Sequence, residues 1–396
     1  MHKGAPFREL SFHFSRSQHY LSARQHSEAL SSAYAIHWAF QYTNVNKPKR
    51  RSTDLLSMSA ASFRHVLSIL SISSSLHTLS LSWLKVGSAH QILILSIKTL
   101  RTLELIDSIF TPTSVVMPRS SITALLFEGR ALVPIRHLLA LLGNSLERLR
   151  VKRWRISAFE ILASMPLPRL TFFENSTIIN VPRHDYLASF QNIRTLVLSF
   201  LASGPFPPTA LPHLTYLFAP PDIGKVLLPG RPVHTYRMHP AHYQKWVASI
   251  EGPLVQVALR GQHVKELHLW LDLSPWGMAR WLALHFPNVV WLHLGLSSPS
   301  HLCDGMMPWS HVHVNSSLRK FDIGFYMTKG GPIPRENCRE VLSKLTEVCS
   351  MLEAVRFGEL CPTLGGGIDE KNVSWDRVMD MRRTAGGEWQ ERKWHV

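Results

Sequence analysis

The chain has 396 residues, 45% of them hydrophobic and 18% charged, a balance that excludes a disordered polypeptide and supplies enough apolar side chains for a continuous core. Lys and Arg outnumber Asp and Glu by 43 to 27, a formal charge of +16 that favours acidic partners. No apolar run reaches the roughly 18 residues needed to cross a bilayer, so no membrane span is expected.

Residues 1–51 carry no copy of the pattern that dominates the rest. They are basic and rich in Ser and His, and are expected to form a poorly ordered arm. Such a leader has features of a mitochondrial transit peptide, and Lys47-Pro-Lys-Arg-Arg51 has those of a nuclear localisation signal. Over residues 52–75 the spacing of Leu55, Leu56, Phe63, Val66, Leu67 and Leu70 predicts a helical cap on the open end of a repeat array.

From residue 76 to 363 a short unit recurs. Its copies begin at Leu76, Leu100, Ile122, Leu146, Leu170, Ile193, Leu214, Val233, Val264, Val289, Leu318 and Leu352, between 19 and 34 residues apart. Most read L-x-x-L-x-L, as in LHTLSL, VKELHL and VVWLHL; LTFFEN and VHTYRM are the least regular. Alternate residues of a strand face opposite ways, so the fourth and sixth positions are expected inside and the third and fifth outside. Segments between copies carry helical apolar spacing, at 92–97, 135–142, 159–165, 243–250, 275–285 and 338–349. Each repeat buries its apolar side against its neighbours, so one elongated body can hold without disulfides. Residues 364–396, opening on Leu364-Gly-Gly-Gly367, close the chain as a tail or as a C-terminal cap built on Trp375, Val378, Met379 and Met381.

Repeats of this length, with Pro just ahead of the strand in HFPNVVWLHLGL and ALPHLTYLFAPP, resemble the leucine-rich-repeat family and in particular fungal F-box/leucine-rich-repeat proteins. The resemblance covers about Leu76 to Phe357. It implies an α/β fold: a leucine-rich-repeat solenoid, or horseshoe, with a parallel β-sheet on the concave face and helices on the convex face. It also implies a non-enzymatic protein-interaction scaffold, the substrate-recognition module of a Skp–cullin ubiquitin ligase. No L-P-x-E-I/L start of an F-box helix occurs in Met1 to Ser75, so a Skp-type adaptor is implied by analogy alone.

The outward positions supply the candidate partner-binding residues: Arg148, Arg150 and Lys152 from one copy, then Tyr216, Phe218, Arg237, His268, Trp270, Trp291 and His293. Aromatics and Arg are the residue types that anchor protein interfaces. Register places His268 beside His293 and, on this reading, Trp270 near Trp291; the same tryptophans also suit a core beneath a long loop. The cluster Arg148–Arg153 and the basic arm open an alternative, binding of nucleic acid or an anionic surface, although stacking aromatics lie repeats away.

Chemistry is otherwise sparse. No G-x-S-x-G, G-x-x-x-x-G-K-S/T or G-x-G-x-x-G occurs, so neither an enzyme nor a cofactor is expected. His301, Cys303, Asp304, His311 and His313 are close in sequence, as are His239 and His242, but none has zinc-ligand spacing, and no metal site is nominated. Cys303, Cys338, Cys349 and Cys361 share no disulfide or redox spacing, which fits free thiols in an intracellular setting, cytoplasmic or nuclear.

Overall fold

A computed structural model describes residues 9–14, 35–40, 76–82, 85–111, 119–129, 133–153, 162, 164–176, 187, 189–199, 207, 209–238, 261–271, 286–296, 317–326, 335–361 and 374–392. The chain is α/β with mostly parallel strands, and it divides into two compact units between Leu211 and Pro212. That boundary falls inside the repeats, between the copies at Ile193 and Leu214. Repeats contact mainly their neighbours, so a division between two of them breaks few long-range contacts.

In the first unit the strands are β1 (Glu9–Phe14), β2 (Ala35–Phe40), β3 (Thr78–Ser82), β4 (Lys85–Val86), β5 (Thr102–Ile106), β6 (Ile109–Phe110), β7 (Ala124–Glu128), β8 (Arg148–Lys152), β9 (Phe172–Asn175) and β10 (Thr195–Leu198). Helix α1 (Ser88–Ser96) follows β4, and α2 (Val133–Leu142) follows β7. The main ladder runs β1-β2-β3-β5-β7-β8-β9-β10, parallel at every step, while β4 and β6 pair separately. Buried Gln91 of α1 ties that small pair by donating its side-chain amide to Val86 O and Thr111 O.

The second unit holds β11 (Tyr216–Ala219), β12 (Thr235–Met238), β13 (Glu266–Leu271), β14 (Trp291–Leu296), β15 (Lys320–Tyr326) and β16 (Ala354–Cys361), consecutive and parallel. It then turns back through β17 (Ser374–Arg383) and β18 (Trp389–Glu391), both antiparallel. Helix α3 (Pro221–Leu227) follows β11, and α4 (Arg335–Val348) precedes β16.

Each of the twelve copies delivers a strand that begins two residues after its first apolar position, the irregular LTFFEN and VHTYRM included. Their fourth and sixth positions face inward: Leu149 and Val151, Leu267 and Leu269, and Phe321 and Ile323 are all buried. Full burial of one such side chain contributes about 1.5–3 kcal/mol, which is what the repeat period supplies at every rung.

A second ladder lies just ahead of the strands. Ser145 donates to Ile122 O, Asn192 to Pro168 O, Asn288 to Gln262 O and Ser317 to Val289 O, each reaching the preceding repeat. The shorter Ser meets the first residue of the neighbouring copy; the longer Asn reaches two residues further back.

Several expectations are corrected. Residues 1–51 are not wholly an unstructured arm, because β1 and β2 extend the ladder, with Ala35 to Ala39 paired against Thr78 to Ser82. Leu10-x-Phe12-x-Phe14 and Ile36-x-Trp38-x-Phe40 alternate at the strand period, which is the physical signal for them. Strand β3 is therefore not an end strand, and the cap expected at 52–75 lies outside the described residues. Over 374–392 the chain is a capping hairpin rather than a tail, with Met379 buried. Of the helices expected, α1, α2 and α4 cover 92–96, 135–142 and 338–348. Residues 243–250 and 275–285 lie outside the described residues, and 159–165 is described only at 162, 164 and 165. Helix α3 was not anticipated; Pro221 at its first turn presets the helical φ there.

Candidate functional site

In the second unit, strand register lines up the fifth positions of successive copies. Phe218 pairs with Arg237, Arg237 with His268, His268 with His293, His293 with Asp322, Asp322 with Arg356, and Arg356 with Asp380 of the capping hairpin. A neighbouring row, two residues earlier, holds Tyr216, Thr235, Glu266, Trp291, Lys320 and Ala354. These two rows form the densest polar constellation among the described residues of this unit.

The imidazoles of His268 and His293 stack with centroids 3.6 Å apart and planes 11° from parallel, because adjacent parallel strands hold equivalent positions about 4.8 Å apart. Glu266 Oε1 lies 2.7 Å from His268 Nε2 and 3.5 Å from His293 Nε2. On the other side, His293 Nδ1 is 2.9 Å from Asp322 Oδ2. Asp322 is buried and also accepts the indole N–H of Trp291 at 2.8 Å and the Nε–H of Arg356 at 2.6 Å, with a second bond from Arg356 Nη2. Lys320 and Arg356 stand over the Trp291 ring at 5.2 and 5.5 Å, and Arg237 stands over Tyr216 at 5.6 Å. Cations over aromatic faces gain a modest attraction and hold both side chains in place.

Protonation follows from these contacts. Burial pushes His268 down to about 3, outweighing the hydrogen bond to Glu266, so its ring is neutral near pH 7. The hydrogen bond from His268, then the neighbouring His293, holds Glu266 well below the usual carboxylate range. Burial alone would raise Asp322, but His293 and Arg356 more than offset it and hold that carboxyl at about 2. Arg356 in turn is raised by its bonds to Asp322. Asp380, 1% exposed, sits at the end of the row with Arg382 Nε 3.7 Å from Oδ1.

The outward residues are less open than the repeat pattern implies. His268 and His293 are 7% and 9% exposed, because each covers a face of the other and Trp291 closes against His293 at 4.5 Å. Phe218 is likewise buried, whereas Tyr216, Arg237 and Trp291 are half-buried and Lys320 is exposed. Trp270 does not pair with Trp291: it stands opposite Gly295, four residues along β13 from Glu266, which is the residue facing Trp291. Trp270 is the seventh position of its copy and Trp291 the third, so the register sets them four residues apart along adjacent strands.

The basic cluster belongs to the first unit and is largely engaged. Arg148 and Arg150 lie over the Phe172 ring at 4.7 and 5.8 Å, and Arg150 Nε is 2.6 Å from Glu174 Oε2. Arg153, in the left-handed region at φ 59, turns its guanidinium onto Asp107 and Glu128 at 3.2 and 2.7 Å. Lys152 pairs in register with Glu128 and is half-buried. Arg150 and Arg153 of this run therefore meet acids from neighbouring repeats, so the run is not an unopposed patch.

Glu266, Asp322 and Arg356 are not among the candidate partner-binding residues nominated from the sequence. Their signal was their position, third or fifth in a copy, and it became informative only once register set them beside the histidines. His301, Cys303, Asp304, His311 and His313, with His239 and His242, lie outside the described residues. Cys338 and Cys349 are buried and neither is in a disulfide, and burial pushes the Cys349 thiol up to about 11. No helix among the described residues is long and apolar enough to cross a membrane. Neither a protein-family model nor a curated protein matches the chain.

Proposed function

We propose that the chain is a non-enzymatic protein-interaction scaffold, a leucine-rich-repeat horseshoe whose sheet lines the concave side, with a docking face on β12 to β16. The observation that carries this reading is Trp291, half-buried with its indole N–H held by Asp322 and with Lys320 and Arg356 over its ring. An aromatic with its rotamer already fixed loses little freedom on binding, and such residues dominate interface energetics. Lys320 and Arg356 over the Trp291 ring suit a protein segment that presents carboxylates. The narrower version, a substrate-recognition module beside a Skp-type adaptor, rests on the resemblance of the repeats.

The test is affinity capture with the full tagged chain, followed by titration of the purified captured protein against wild type, Trp291→Ala and Lys320→Glu. The expected result is at least tenfold weaker binding in each variant, with unfolding midpoints recorded in parallel. Equal binding by all three overturns this face as the docking site. A Skp-type adaptor among the captured proteins would support the ubiquitin-ligase version, and other partners alone would leave the scaffold without it.

A further inference from the structure

We propose that Glu266, His268 and His293 form a binding site for one divalent transition-metal ion of the zinc type, with Asp322 as the residue that orients His293. The donor atoms of the three side chains all lie within 4.8 Å of one another, half-buried or buried on two adjacent strands. This site stands independently of the partner-docking reading.

The donor set decides the class of ion. Two imidazole nitrogens and one carboxylate oxygen suit zinc, cobalt or nickel, whereas calcium and magnesium take nearly all-oxygen shells. A tetrahedral ion with bonds of about 2.0–2.2 Å sets its donors about 3.3–3.5 Å apart. Glu266 Oε1 to His293 Nε2 is 3.5 Å already, and Glu266 Oε1 to His268 Nε2, at 2.7 Å, needs a widening of well under 1 Å. Three protein ligands leave one position for water or for a ligand atom from outside.

Protons and orientation fit as well. Metal-bound histidines commonly turn their other ring nitrogen to a carboxylate. Asp322 Oδ2 is in that position, 2.9 Å from His293 Nδ1, and is fixed there by Trp291 and Arg356. With the His293 proton on Nδ1, an ion lying between Nε2 and Glu266 Oε1, 3.5 Å apart, would take a lone pair from each. His268, with its Nε2 2.7 Å from Glu266 Oε1, becomes the third ligand by carrying its proton on Nδ1 rather than Nε2. Binding also requires the rings to turn. The stacked rings present parallel lone pairs, so each imidazole must turn about its soft terminal torsion until both nitrogens converge on the ion.

The test uses the full chain without a polyhistidine tag, stripped with chelator and titrated with Zn2+ by calorimetry and with Co2+ by visible absorption. The protein has 22 histidines, so the comparison with variants identifies the site. One Zn2+ per chain at micromolar affinity or tighter is expected, with the intense absorption of four-coordinate Co2+. His268→Gln and His293→Gln, which keep polarity and approximate size, should each weaken this site at least tenfold, and Asp322→Asn about 10- to 100-fold. Zn2+ should raise the unfolding midpoint of the wild type and not of the histidine variants, which also reports whether a variant has folded. Wild-type protein that takes up no stoichiometric Zn2+, or folded His268→Gln and His293→Gln proteins that bind it as tightly as wild type, overturns the proposal and leaves the cluster as a hydrogen-bonded one.

Discussion

Trp291 donates its indole N–H to the buried carboxylate of Asp322 across 2.8 Å, so the aromatic that faces outward is fastened to the strand beside it. The same carboxylate holds Arg356 and contacts His293, which makes Asp322 the hub of the face. Asp322→Asn keeps the shape but removes the charge opposite a half-buried guanidinium. Breaking one partner of a buried pair costs about 3–5 kcal/mol, and the partial exposure of Arg356 brings the expected loss nearer ~2 kcal/mol. Urea unfolding of the variant against wild type measures it, and an unchanged midpoint would show the hub to be energetically idle.

Acid should destabilise the second unit over two windows. The folded state keeps His268 neutral down to about pH 3 while the unfolded chain takes up a proton near 6.5, so stability falls as pH drops between those values. Asp322 is depressed to about 2 from 3.8, so its contribution is complete above about pH 4 and is lost as pH falls toward 2; Glu266 acts in the same direction. Denaturation midpoints at stepped pH should decline below about 6.5. His268→Gln should flatten the decline between about 6 and 4, and a variant curve parallel to wild type would refute the assignment.

Gly261 lies against the Phe286 ring. A Cβ there would stand 2.4 Å from the ring Cδ1 and Cε1, a separation no packed pair tolerates, so Gly261→Ala must displace a fully buried Phe286. Overpacking of this kind costs about 1–3 kcal/mol. Thermal melting should show the loss, with near-wild-type stability counting against the packing described.

Removing residues 1–51 separates two ideas about the N-terminus. A basic arm could be cut without structural consequence, whereas loss of β1 and β2 strips the hydrogen-bonded neighbour from β3 and exposes a strand edge. The truncated chain should melt at lower temperature and aggregate more readily in light scattering. Unchanged melting and solubility would return the segment to the status of an arm.

Cys349 is buried with its thiol raised to about 11, so the reactive thiolate is scarce at neutral pH. Alkylation mapped by mass spectrometry should modify Cys349 at least tenfold more slowly in folded protein than in urea. Equal rates would place the thiol at the surface.

The repeat determined its own strands. Apolar positions at a period of two within each copy, and at one copy every few tens of residues, place twelve strands and their buried side chains, because a stacked ladder must bury the same positions at each rung. Even the N-terminal strands were written in alternation, though not in the full motif. What the sequence alone left open was lateral: which outward residue stands beside which. Glu266, His268, His293, Asp322 and Arg356 span about ninety residues of chain, and they meet because register, set by turns and insertions of unequal length, aligns their strands. Burial followed from that meeting, since the two rings cover each other and the buried Asp322 carboxylate finds the Arg356 guanidinium on the neighbouring strand. Periodicity is a property of one segment read alone, and it fixed the rungs; the chemistry between rungs exists only where separate segments touch.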